Sequence, residues 1–291
     1  MSNKNRGDRI SLLHKAVTKN FTPHLAPEDR SVLEHMLYAC CLEDASYEAA
    51  DEAFSRLQES FFDWNEVRVT TISELRETLH NLPDPTVAAV RIKKNLQSLF
   101  ETRYSFDLED MIKMNQGKAV QELEKLAGMS KFVLGYTTQN ALGGHSIPVS
   151  ESIMKVLLAT EIVSEAEAAK GQAPGLERTV PKTKGAEFAS GLHQLGLLHA
   201  QSPRGKQTLA ILKEAGAPEP ARAAKQKAVE TPVKKAATPK AAPAKKTPAK
   251  KTSKPAASKA AKKLPAKSPA KSSAKSTAGK TAKKSTKRKP K

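Results

Sequence analysis

The chain has 291 residues, a net charge of +19 and two cysteines. These cysteines, Cys40 and Cys41, are adjacent, which excludes a disulfide framework and a cysteine-only metal site. The polar start, with no apolar signal core, and the lack of any apolar run near about 18 residues predict an intracellular protein with no membrane partner.

The positive charge is concentrated in the C-terminal part of the chain. Residues 217–291 contain 22 lysines, two arginines and two glutamates, a net charge of +22, whereas residues 1–216 carry −3. The last aromatic residue is Phe188, so residues 217–291 have little apolar surface to offset the entropy cost of ordering. We therefore predict an N-terminal lead-in at 1–25, a helical domain at 26–216 and a disordered basic tail at 217–291.

Apolar residues recur at helical spacing throughout the predicted domain and show no sustained alternation, so the fold class is all-α. A short helix is predicted near residues 10–17, and residues 26–29, with proline and acids, are predicted to open the next helix. Ser46 caps a helix that ends near Phe61, and Trp64 is expected in a loop that covers the core. Further helices are predicted at 72–82, 86–104, 108–114, on both sides of Gly128, and at 150–162, 184–199 and 203–215, with a loop at 171–181.

The segment around Gly128 has the pattern of a helix-hairpin-helix. Leu126, Gly128 and Ser130 form a tight turn between two amphipathic helices, and Lys131 follows. Backbone amides of such a turn, and of the helix that follows it, can bind a phosphate. The plain alternative is an ordinary corner with Gly128 as the C-cap. Ser130 stands where a second glycine is common, so it either adopts a strained positive φ or caps the second helix.

This arrangement resembles the helix-hairpin-helix DNA glycosylases of the endonuclease III type. Their L-P-G-V-G-R-K-T-A and V-D-T-H-V/I patterns align with residues 126–134 and 149–153, and the order of helices matches over residues 28–215. The resemblance implies a two-lobed helical domain. In that family the hairpin binds the DNA backbone, and a cleft between the lobes receives a flipped base.

The resemblance places the family's attacking lysine at Phe132 and its catalytic aspartate at Ser150. Lys131 and Glu151 are the nearest substitutes, but a neighbouring helix position points about 100° away. A missing lysine would still allow a monofunctional glycosylase, whereas a missing aspartate removes the anion that stabilises an oxocarbenium-like transition state. We therefore assign no catalytic residue, keep Lys131 and Glu151 as the fallback pair, and expect the family's standard chemistry to be absent.

Many members of the family also carry an iron–sulfur cluster held by four cysteines in the pattern C-x6-C-x2-C-x5-C. When that pattern starts at His199, its other positions fall on Lys206, Leu209 and Ala215, none of which is a thiol. No iron–sulfur cluster or other metal is therefore expected. His145 is predicted to be a surface residue.

The tail repeats short Lys/Ala/Pro units and resembles the C-terminal domains of linker histones and bacterial histone-like proteins. If it neutralises about eight phosphates, the logarithm of the binding constant falls with that of the salt concentration at a slope of about −7. Without aromatic side chains it should bind DNA largely without sequence preference, with RNA as a second candidate partner. The predicted DNA-binding residues are Leu126, Gly128, Ser130 and Lys131 in the hairpin and Lys234, Lys235, Lys245, Lys246, Lys250 and Lys251 in the tail.

Three functions fit these features. The first is a DNA-binding protein of the base-excision-repair superfamily, without standard glycosylase or lyase chemistry, associated with DNA in a bacterial nucleoid or a nucleus. The second is an active but divergent DNA glycosylase or endonuclease. The third is a protein-interaction scaffold. The joint presence of the hairpin and the basic tail favours the first.

Overall fold

A computed structural model of the protein describes residues 5–218. Every regular element in this range is helical, and it contains no strand, which confirms the all-α prediction. The tail predictions fall almost entirely on residues outside the described range and stay predictions. These include the proposed roles of Lys234, Lys235, Lys245, Lys246, Lys250 and Lys251.

The described residues form fourteen α-helices and one 3-10 helix. The first nine are α1 (Arg6–Asn20), α2 (Val32–Leu42), α3 (Tyr47–Ser60), α4 (Trp64–Val69), α5 (Ile72–Thr78), α6 (Pro85–Arg103), α7 (Asp110–Lys113), α8 (Gln116–Glu124) and α9 (Lys131–Asn140). The others are α10 (Glu151–Ala159), α11 (Glu165–Ala169), α12 (Leu176–Thr179), the 3-10 helix Lys182–Lys184, α13 (Gly185–Gln201) and α14 (Lys206–Glu214). Helices α2–α9 form one lobe, and α1 with α10–α14 forms the other.

Helix α2 begins later than predicted. Ser31 is its N-cap: the Ser31 hydroxyl accepts the N–H of Glu34, and the Glu34 carboxylate accepts the N–H of Ser31 at 2.8 Å. The prediction that residues 26–29 open this helix is wrong, because the reciprocal Ser–Glu cap satisfies the free amides of the first turn. The predicted cap at Ser46 is confirmed.

Trp64 is the first residue of α4, so its predicted loop position is wrong. Asp63 caps this short helix by accepting the N–H of Glu66. The prediction that Trp64 packs on the core is confirmed, since its ring stacks on Phe54 with centroids 6.1 Å apart. A helix of six residues shows too little periodicity for sequence analysis to find.

Helix α1 is longer than the predicted segment and belongs to the core. Its residues Ile10, Leu13 and Val17 are fully buried, and the helix packs on α13 and α14. The Lys19 ammonium pairs with Glu214 of α14 at 2.6 Å. This burial favours including residues 6–20 in the helical domain, while the division of the chain at residues 25 and 216 stays a prediction.

The two cysteines of the helical core are poor nucleophiles. Cys40 and Cys41 are free and buried in α2, and burial raises the pKa of Cys40 to about 12, so neither thiol is a ready nucleophile.

Within residues 5–218, no helix has both the length and the apolar character to cross a membrane.

Candidate functional site

The predicted hairpin is present as α8, a turn at residues 125–130, and α9. Ser130 has φ −91° and ψ 165°, and its hydroxyl accepts the N–H of Val133 at 3.0 Å. The N-cap alternative for Ser130 is therefore confirmed, and the alternative of a strained positive φ is wrong. Because the capping hydroxyl serves Val133, the N–H groups of Lys131 and Phe132 have no acceptor among the described residues.

Gly128 permits the hairpin turn to lie directly against α6. A Cβ atom at this position would stand 2.3 Å from the carbonyl oxygen of Arg91 and 2.8 Å from the side chain of Asn95. The C-cap of α8 is Lys125, so the plain alternative with Gly128 as the C-cap is wrong. A glycine is needed at position 128 because the turn approaches α6 closely, and not because of its backbone conformation. Leu126 is buried under the turn.

Replacing Gly128 by alanine is expected to lower the free energy of unfolding by about 1–3 kcal/mol, because α6 or the turn must move to admit the methyl group. Urea denaturation of the full chain, followed by circular dichroism, measures this change. Gly7→Ala is the matched control: its Cβ would lie 3.3 Å from the Asn5 side-chain oxygen and 3.9 Å from the Thr179 hydroxyl, without a clash against backbone. Equal effects of the two substitutions would contradict the close packing at Gly128.

The fallback pair of Lys131 and Glu151 is not brought together. The Lys131 ammonium donates to the carbonyl oxygens of Lys170 and Gly171 at 2.6 and 3.0 Å, at the end of α11. Glu151 is 77% exposed and pairs with Lys155, one turn further along α10, at 2.9 Å. Each side chain therefore has a structural partner of its own.

Phe132 fills the space that a reactive lysine would need. Its side chain is 1% exposed, and its ring lies 6.3 Å from that of Tyr136 and 5.7 Å from that of His193. The cavity beside it, also bounded by Tyr47, has a volume of about 20 Å³. That is room for about one water molecule and far less than a small-molecule site needs.

Ser150, the other reactive position of the resemblance, is a buried N-cap. Its hydroxyl accepts the N–H of Ile153 at 3.4 Å and lies 3.0 Å from the hydroxyl of Ser152. Sequence analysis missed the carboxylate that lies beside it. Asp44, in the loop between α2 and α3, accepts the N–H of Ser152 at 3.1 Å.

Asp44 is held as an anion. Burial by itself would raise its pKa, but hydrogen bonds from Ser152 and Ser150 outweigh burial, and the pKa of Asp44 is lowered. Its backbone has φ +59°, which aspartate and asparagine tolerate better than most residues. An ionised carboxylate therefore lies at the N-terminus of α10, although its residue comes from the other lobe.

A second carboxylate, Glu43, contacts the hairpin directly. It accepts the Ser130 hydroxyl at 2.5 Å and pairs with the Arg91 guanidinium at 2.8 Å, while burial raises its pKa. Glu43 lies in the wall of a depression of about 310 Å³, which we call the acidic mouth. The carboxylates that line it are Glu43, Asp44, Asp84 and Glu151, against the single cation Arg91.

Two histidines, His193 and His145, bond to backbone carbonyl oxygens. His193 bonds through Nε2 to the carbonyl oxygen of Ala45 at 2.8 Å, and burial lowers its pKa, so the ring is neutral. His145, predicted to be a surface residue, is partly exposed, and its Nε2 lies 2.7 Å from the carbonyl oxygen of Glu177 and 2.9 Å from that of Val180. It fastens the loop before α10 to α12.

No protein-family model and no curated protein sequence matches the chain. Among solved structures, a trapped endonuclease III–DNA covalent intermediate is 15% identical, with a TM-score of 0.53 over 73% of this chain and 98% of that one. A non-covalent endonuclease III–DNA complex is 16% identical, with a TM-score of 0.53 over 73% and 97%. The chain has an endonuclease III-like fold. This confirms the predicted two-lobed glycosylase-like architecture. A thermostable thymine-DNA glycosylase is 15% identical, with a TM-score of 0.46 over 66% and 85%.

Helix α14, the last helix of the described residues, carries no cysteine that could bind a metal. His199, Lys206, Leu209 and Ala215 do not fit an iron–sulfur cluster, since none supplies a thiolate. Residues 5–218 contain no group of three or more histidine, cysteine or acidic side chains able to hold a metal ion. Helix α14 is fixed by two kinds of contact. Ile211 and Leu212 are buried, and Glu214 bonds to Lys19 and Asn20.

Proposed function

We propose that the protein binds duplex DNA through its hairpin and its basic tail and lacks the standard glycosylase and lyase chemistry. The observation that carries this proposal is the joint occurrence of a hairpin, within an endonuclease III-like fold, and residues 217–291 with a net charge of +22. Both solved structures with a TM-score of 0.53 contain DNA, which supports DNA as the partner. The protein would then be associated with DNA in a nucleoid or a nucleus.

The hairpin supplies the geometry for one phosphate. The free N–H groups of Lys131 and Phe132 lie at the positive end of the α9 dipole, which favours an anion. Gly128 and Leu126 hold the turn against α6, so its exposed backbone is fixed before DNA arrives. The exposed Lys131 ammonium can exchange its carbonyl partners for a phosphate oxygen.

The acidic mouth limits what the helical domain contributes. Its carboxylates lie beside the hairpin, where they repel a second phosphate, and residues 1–216 are slightly acidic as a whole. The tail is therefore the main source of affinity, by counterion release. The same lysines would bind RNA, since counterion release does not depend on the sugar.

Base excision of the standard kind has neither room nor nucleophile in this site. The cavity at Phe132 holds about one water, and the slots of the attacking lysine and the aspartate are filled by Phe132 and Ser150. No cofactor step is proposed, because the residues in the cluster positions do not fit iron.

Fluorescence anisotropy with an undamaged labelled duplex tests the proposal. The full chain is expected to bind at low salt with little preference among duplexes of different sequence, and added salt should weaken binding steeply. Absence of binding at low salt, or binding that salt does not change, would contradict it.

Substituting Glu43 by glutamine is expected to raise the affinity for DNA about two- to fivefold at low salt. The change removes a negative charge beside the hairpin and frees Arg91 for phosphate, an effect of about 0.5–1 kcal/mol. Anisotropy titrations at several salt concentrations measure it, and the gain should shrink as salt is added. Glu59→Gln, at an exposed position of α3, is the matched control. Equal changes in both variants would show that net charge alone is responsible.

A divergent DNA glycosylase is a second candidate, and Asp44 is the observation that favours it. Its ionised carboxylate lies at the N-terminus of α10, beside the slot of the family's aspartate, and could stabilise a cationic sugar. Base release by the full chain across a panel of lesion-containing duplexes tests this activity. Asp44→Asn should abolish it, since asparagine keeps the shape and tolerates the positive φ.

The same assay examines the fallback pair with Lys131→Ala and Glu151→Gln. We expect these variants to retain any base release, because both side chains are engaged away from the cavity at Phe132. No release from any lesion would remove the second candidate altogether.

A further inference from the structure

A groove of about 590 Å³ runs along α6 and ends at Ala127 of the hairpin turn. Its apolar part includes Val69 at the end of α4, which is 59% exposed, and Ile72 at the start of α5, which is 40% exposed. Val90 of α6 and Ala127 extend this apolar surface. Large aliphatic side chains exposed together in a concave surface are typical of a binding site.

Three cations border the groove without a carboxylate partner. Arg68 donates to the side-chain oxygens of Asn65 and Gln97 and lies over the ring of Phe100 at 4.2 Å. The Lys93 ammonium donates to carbonyl oxygens of the α4–α5 segment, at 2.7 and 2.5 Å. Lys94 is exposed.

Within residues 5–218, none of these three cations forms an ion pair. One carboxylate, that of Glu101, lines the groove, so the groove carries a positive charge. The bonds of Lys93 tie the end of α4 to α6, and the groove therefore exists before any partner binds.

We propose that this groove binds a partner protein through a short segment in which apolar side chains are flanked by aspartate or glutamate. Apolar side chains would cover Val69 and Ile72, and carboxylates would meet the unpaired cations Arg68 and Lys94. This inference goes beyond DNA binding. It also places the partner away from the cleft at Phe132, which has no room for a peptide.

Other occupants suit the groove less well. The basic tail of the same chain would bring lysines against Arg68, Lys93 and Lys94. A second copy of the groove would likewise oppose positive charge with positive charge. Duplex DNA would satisfy the cations but would leave Val69 and Ile72 facing phosphates and sugars. Only an acidic segment with apolar side chains satisfies both parts of the surface.

A selection from a display library of random peptides on the full chain tests this proposal, with excess polyglutamate present to occupy the tail. We expect enriched peptides to combine apolar and acidic residues. Ile72→Glu and Lys94→Glu should each lower their affinity about tenfold or more, as at the centre of an interface. Ile112→Glu and Lys113→Glu are the matched controls, since Ile112 and Lys113 are exposed on α7 and do not line the groove. They should change affinity less than about twofold.

Circular dichroism melting of every variant separates lost binding from lost folding, and Lys94→Glu changes an exposed side chain in case Ile72→Glu is destabilised. Three results would overturn the proposal. The first is that no peptide is enriched above the polyglutamate background. The second is that groove and control variants lose affinity equally. In the third, the groove variants lose affinity for duplex DNA and keep their affinity for peptides, which would assign the groove to DNA.

Discussion

Removing residues 217–291 is expected to lower the affinity for duplex DNA by at least about 10³-fold at low salt. The full chain should show a slope of about −7 in a plot of log binding constant against log salt concentration, and the truncated protein a slope of about −1, from the hairpin alone. Anisotropy titrations over a series of salt concentrations measure both slopes. The reason is that these 75 residues carry a net charge of +22, whereas residues 1–216 carry −3.

A matched pair of tail variants separates charge from composition. Replacing Lys234, Lys235, Lys245, Lys246, Lys250 and Lys251 by glutamine should reduce the magnitude of the salt slope by at most about 5, whereas arginine at the same positions should leave it unchanged. An unchanged slope in the glutamine variant would mean that other cations carry the binding. Loss of binding in the arginine variant would mean that the lysines do more than supply charge.

Replacing Phe132 by alanine is expected to lower the free energy of unfolding by about 3–5 kcal/mol. Its ring packs between those of Tyr136 and His193, and its removal enlarges a cavity that has room for about one water molecule. Urea denaturation of the full chain measures the loss. A lysine at this position would lose these ring contacts and add the cost of burying an amine.

Phe62→Ala is the control for this experiment. Phe62 is 96% exposed in the loop before α4, and its loss should change the free energy of unfolding by less than about 0.5 kcal/mol. Similar losses at Phe62 and Phe132 would contradict the view that the Phe132 ring fills the cleft.

Local sequence signals located most helices because their caps are made within a few residues. The sequence predicts Ser46 as the cap of α3, and Asp84 with Pro85 starts α6 one residue before the predicted start at residue 86. Errors arose where two local signals compete. Proline and acids at residues 26–29 resemble a first helical turn, but the reciprocal Ser31–Glu34 cap decides the start of α2. Helix α12 and its buried Leu176 fall inside the loop predicted at 171–181, since four residues leave no periodic pattern.

The positions of the candidate site could be predicted from the sequence, but the side chains that surround them could not. Matching residues 126–134 and 149–153 to a known pattern gave the positions of Phe132 and Ser150. Asp44 could not be found this way, because its partner Ser152 lies 108 residues further along the chain. The same holds for Glu43 and Ser130, which are 87 residues apart. Contacts between residues so far apart in the chain leave no short spacing in the sequence that could be recognised.

The contacts between α1 and α14 determine how a force applied to the tail is distributed over the domain. Residues 215 and 216 separate α14 from residue 217, so tension on a tail bound to DNA as proposed would act first on that helix. Lys19 and Asn20 hold Glu214, while Ile211 and Leu212 are buried in the core. The force is thereby shared with α1 and the core beneath it, so that the end of the domain resists unravelling one turn at a time. If the tail binds DNA as proposed, an anchor of this kind would keep the domain folded under tension.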